Sequence, residues 1–99
     1  MGLKAAEPLS IAAEELSAYL GAKHAIYMDV ADKSYYLTDA NESYWRVQDC
    51  AVLNEKGHYT DVTTPVEGVA NFLAEPAVDG KSVLDLAGEA TFYASEKAE

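Results

Sequence analysis

The chain has one cysteine, one arginine, two histidines and no apolar run longer than a few residues. Each shortage removes a class of function. With Cys50 alone there is no internal disulfide framework, and a lone thiol fits a reducing compartment, so the expected location is cytoplasmic. Without a long apolar stretch there is no membrane-spanning helix, and no membrane partner is expected. Arg46 and six scattered lysines form no basic stripe, so nucleic acid is not an expected partner either. The opening residues, Met1 to Glu7, lack the apolar region of a secretory signal. Gly2 begins a myristoylation-like pattern, but Ala6 stands where Ser or Thr is required.

Catalytic and metal motifs fail in the same way. His24, Cys50 and His58 carry no paired ligand spacing for zinc, and Asp29 to Ser34 lacks the alternation and the glycine of a calcium loop. Gly80-Lys81-Ser82 matches the end of a phosphate-binding loop, but Glu75 occupies the place of its first glycine. A Cys50–His58 nucleophile pair would have no glycine-rich oxyanion turn beside it. No cofactor or metal is expected, and a non-enzymatic role is favoured over catalysis.

What the chain does have is negative charge. Seventeen Asp and Glu face seven Lys and Arg, a net of -10 on 99 residues, and the acids are spread rather than blocked. Such a surface repels phosphate backbones and attracts basic proteins or cations. Apolar residues still make up 49%, enough for one modest core, and no linker or repeat divides the chain, so residues 1–99 read as a single domain.

The apolar pattern predicts the elements. Leu9, Ala12, Ala13, Leu16, Tyr19 and Leu20 fall on one helical face, with Pro8 before them and Gly21 after. Alternation then predicts strands over 24–30, 34–38, 44–53 and 58–63, with turns between them. Asp49 falls on the apolar side of the third strand, the mark of a bulge or of a buried acid. Thr64-Pro65-Val66-Glu67 has the form of a capping box and predicts a helix opening at Thr64. Ser82 to Asp85 has the same form, and Val83, Leu86, Ala87, Ala90, Tyr93 and Ala94 continue one helical face, although Ala90 to Tyr93 also suits a strand. The expected fold is therefore α+β: an antiparallel four-stranded sheet with helices packed on one face, in the order α-β-β-β-β-α-α. Trp45, sharing a face with Val47, Ala51 and Leu53, is expected to be buried against the first helix near Leu16 or Leu20.

Six aromatics, Tyr27, Tyr35, Tyr36, Tyr44, Trp45 and Tyr59, lie in the proposed sheet, and alternation forbids all of them one face. Two readings follow. In the first, Tyr27, Tyr35 and Tyr36 with Asp29, Asp32 and Asp39 make the acidic, Tyr-rich surface of an interaction or inhibitor-type module that binds a basic protein partner or self-associates, for instance as a homodimer. In the second, His24, Cys50, His58 and Trp45 line a pocket between helix and sheet that binds a small molecule or carries a minor enzymatic activity.

Overall fold

The computed structural model describes residues 3–39, 43–53, 55–57, 59–62, 64–78 and 80–96. The chain opens with a strand, β1 (Leu3–Leu9), where Pro8 is tolerated because β1 pairs on one side only, with a register shift between Lys4 and Pro8. A 3-10 turn (Ala13–Glu15) leads into helix α1 (Leu16–Lys23). The Ala12 N–H donates to the Glu15 carboxylate at 3.0 Å and tethers that turn. The helix expected from Leu9 thus begins at Leu16, burying Leu16 and Leu20 fully. Its stop is His24 rather than Gly21: His24 adopts φ 65° and donates its N–H to the Leu20 carbonyl at 2.8 Å.

Strands β2 (Ala25–Val30), β3 (Lys33–Asp39) and β4 (Tyr44–Leu53) follow as an antiparallel meander. Ala31 and Asp32 alone join β2 to β3, with φ of 51° and 64°, the left-handed pair that a two-residue hairpin demands. The anomaly at Asp49 resolves as a bulge. Pairing between β4 and β5 (Tyr59–Asp61) shifts between Asp49 and Leu53, and the Asp49 carboxylate accepts the Ala51 N–H at 2.8 Å.

After β5 the helix expected to open at Thr64 and run through Val69, Ala70, Phe72 and Leu73 begins only at Val69. Val66–Glu67 is instead a short strand, β6, paired with Trp45 and Tyr44 along the rest of the β4 edge. Edge backbone groups left open by the short β5 are satisfied in this way, and they outweigh a local capping signal. Gly68, at φ 83°, then turns the chain, donates its N–H to the Ser43 carbonyl at 2.7 Å, and precedes helix α2 (Val69–Ala74).

A small hairpin, β7 (Pro76–Val78) with β8 (Lys81–Ser82), leads to α3 (Val83–Leu86). Its capping box forms as the sequence predicts: the Asp85 N–H donates to Ser82 Oγ at 3.1 Å, and the Ser82 N–H to the Asp85 carboxylate at 3.2 Å. The helix stops after four residues, with the Glu89 and Ala90 N–H groups both donating to the Leu86 carbonyl. Thr91–Glu96 becomes β9, hydrogen-bonded between β1 and β2.

The four-stranded, helix-flanked α+β layout is therefore overturned. Among the described residues the protein is mostly antiparallel sheet, seven strands in the order β1-β9-β2-β3-β4-β5 with β6 also on β4, and the three α-helices are short. One face of that sheet supplies Ile26, Met28, Val30, Tyr35, Leu37, Trp45, Val47 and Phe92 to a core shared with Leu16, Leu20, Phe72, Leu73, Val78, Val83 and Leu86. Trp45 is buried there, and its rings lie 6.4 Å from Phe72 of α2 and 6.1 Å from His24 at the end of α1. Among the described residues no helix is long and apolar enough to cross a membrane.

Candidate functional site

Strand alternation places Tyr27 and Tyr36 directly opposite each other on the face turned away from that core. They are nonetheless buried. Tyr27 and Tyr36 rings sit 4.7 Å apart, Tyr59 closes over both edge-on, and Tyr27 Oη lies 3.4 Å from Tyr59 Oη. Tyr36 Oη reaches Ser95 Oγ at 3.2 Å, and Gln48 beside them donates to the Asp61 carboxylate at 3.0 Å. Burial, then the hydrogen bond to Tyr59 and the charges that Tyr59, Tyr36 and Cys50 can acquire, push the Tyr27 hydroxyl well above its ordinary value of 10.0. Tyr35 points the other way, into the core. The three tyrosines expected to centre an exposed patch are thus divided between two buried environments.

The three acids are divided as well. Asp29 and Asp32 lie at the tip of the β2–β3 hairpin, whereas Asp39 lies at the far end of β3, five residues beyond Ser34, or about 17 Å at the ordinary strand rise. Asp39 pairs instead with His24 Nδ1 at 3.3 Å. Of the second grouping, the described residues bring together only His24 and Trp45. His24 stacks over Trp45, but Cys50 interacts with Tyr27 of the opposite face, and His58 lies outside the described residues. No three His, Cys, Asp or Glu side chains among the described residues are placed to hold a metal ion.

What does assemble is the hairpin tip. Asp29, Val30, Ala31, Asp32, Lys33, Ser34 and Glu89 line a polar cleft of about 360 Å³. Asp29 is held in it by Ser34, whose hydroxyl donates to the carboxylate at 2.7 Å. Glu89 arrives because the short α3 ends just before β9, and β9 pairs Thr91 with Asp29. A second lobe of about 120 Å³ adjoins the first, sharing Val30, Ala31, Lys33 and Glu89 and adding Tyr35, Val78, Lys81 and Leu86. Sequence reasoning named Asp29 and Asp32 but missed Glu89, Lys33 and Lys81. Lys33 follows Asp32 in the hairpin itself, whereas only the pairing of β9 with β2 and the packing of β7–β8 bring Glu89 and Lys81 to the tip, and neither has a local signal.

The arrangement gathers charged side chains of both signs around a polar cleft at a hairpin tip. No protein-family model, no curated protein and no solved structure matches this chain.

Proposed function

We propose that this protein is a non-enzymatic interaction module that docks a basic partner at the tip of the β2–β3 hairpin. The observation that supports the reading is the convergence of Asp29, Asp32 and Glu89 on one cleft of a chain with net charge -10. The acidic surplus draws a basic partner in, and the cleft gives it a place to seat one cationic side chain. Its anchor is this polar cleft rather than an exposed tyrosine cluster, because Tyr27, Tyr35 and Tyr36 are packed away.

Nuclear magnetic resonance titration with a short oligolysine peptide tests the reading. Backbone shifts should concentrate at Ala31, Asp32 and Glu89, and raising the salt should weaken binding, since exposed charges are screened over about 8 Å at physiological ionic strength. Charge reversal at Asp32 and Glu89 should slow association with the peptide far more than reversal at Glu14 and Glu15, which lie in the 3-10 turn before α1. Equal effects from the two pairs would mean that the charge serves solubility alone.

A further inference from the structure

The two lobes of the cleft carry opposite charges that do not satisfy one another. Asp32, Lys33, Lys81 and Glu89 are exposed, and none of the four has an ion pair among the described residues, although Asp32 and Lys33 are adjacent and Lys33 and Glu89 line both lobes. Val30, Tyr35, Val78 and Leu86 give the smaller lobe an apolar side, and Val30 also lines the larger one. A purely cationic ligand in the larger lobe would face Lys33 there and leave Lys81 unmatched in the smaller one.

Resting on the interaction reading above, we infer that the cleft recognises a peptide chain end: a C-terminal lysine or arginine bearing a free carboxylate. Its side-chain cation lies in the 360 Å³ lobe against Asp29 and Asp32, and its carboxylate lies in the 120 Å³ lobe against Lys33 and Lys81. The aliphatic stem crosses Val30 and Tyr35, as such stems do over apolar surface. Glu89, common to both lobes, stands where the terminal residue's amide N–H falls. Charge favours a chain end over an internal segment, because only a terminus brings a free carboxylate to Lys33 and Lys81.

Isothermal titration calorimetry on the full chain decides between these arrangements, using a short peptide ending in lysine as the free acid, as its C-terminal amide, and with the terminal lysine side chain acetylated. The free acid should bind about tenfold more tightly than the amide, the gain from one charge-assisted contact. Acetylation should cost at least as much. The double substitution Lys33→Ala and Lys81→Ala should abolish the preference for the free acid without weakening the amide, while Asp32→Asn with Glu89→Gln should weaken both peptides. All of these side chains are exposed, so thermal unfolding should show each variant folded. Equal binding of acid and amide, with oligolysine still mapping to the hairpin tip, overturns the chain-end inference and leaves the interaction reading standing. Failure of oligolysine to map there overturns both.

Discussion

The two faces of the sheet are buried by different chemistries. The face under the helices is filled with Ile26, Met28, Leu37, Val47 and Phe92, none more than 3% exposed, and it gains stability from apolar area removed from water. The other face is closed by Tyr27, Tyr36, Tyr59 and Gln48, whose rings pack while their polar ends bond to one another or to Ser95 and Asp61. The first face is almost wholly apolar, with the Tyr35 hydroxyl and the Trp45 indole N–H its polar groups. The second uses polar atoms to fix geometry, and each of its bonds is worth little in net terms. Period-two alternation therefore yields two dissimilar interiors from one set of strands.

Truncation on the helix-side face should give the largest effect. Trp45→Ala removes a ring that bridges His24 and Phe72, and it should cost about 3–5 kcal/mol, enough to threaten a domain of this size. Denaturant unfolding measures it directly. Curves that overlay those of the unmodified protein would break the assigned register of β4.

On the tyrosine face the smaller change Tyr27→Phe keeps the ring and deletes the hydroxyl that lies 3.4 Å from Tyr59 Oη, so near neutral pH it should cost about 0.5–1.5 kcal/mol. Its pH dependence is more telling. The folded protein holds the Tyr27 hydroxyl protonated above its ordinary value, whereas the unfolded chain releases that proton near pH 10. The native state therefore binds more protons in alkali. This stabilisation is complete below pH 10 and is lost as pH rises beyond it, by up to roughly 1.4 kcal/mol per pH unit for one proton. Tyr27→Phe has no such proton to lose, so its deficit should shrink above pH 10. A deficit that stays constant into alkali would show that Tyr27 is not enclosed as described.

The contrast between the faces also explains what could be read in advance. β2, β3 and β4 were legible because their alternation is local and their turns are short, and even the Asp49 bulge left a mark, as an acid on the wrong side of the pattern. The Ser82–Asp85 capping box was legible too, but not the length of its helix. Alanines at 87, 90 and 94 extend a helical stripe that competes with Thr91-Phe92-Tyr93, and the contest is settled by a vacancy between β1 and β2 that lies far away in sequence. The capping pattern at Thr64 lost for the same kind of reason, since β6 completes the β4 edge. Among the site residues, Asp29 and Asp32 share a hairpin and could be paired from sequence. Asp39 was grouped with them wrongly, because a strand separates its own two ends.

The hairpin tip belongs to neither interior, and there the smallest effect is expected. Ala31 holds φ 51° without the freedom of glycine, a conformation costing an L-residue roughly 1–2 kcal/mol. Ala31→Gly relieves that strain but adds freedom to the unfolded chain, which offsets about 0.5–1 kcal/mol. A net gain of roughly 0.5–1 kcal/mol remains, visible as a rise of a few degrees in Tm for a domain of this length. Asp32, at φ 64°, should gain less from the same change, because Asp tolerates the left-handed region better than Ala does. Ala31 brings no charge to the cleft, so Ala31→Gly should leave oligolysine binding unchanged while Asp32→Gly weakens it. If Ala31→Gly stabilises the fold and still weakens binding, then the strained two-residue turn is what holds Asp29 and Asp32 in place, and the cleft depends on backbone shape as much as on charge.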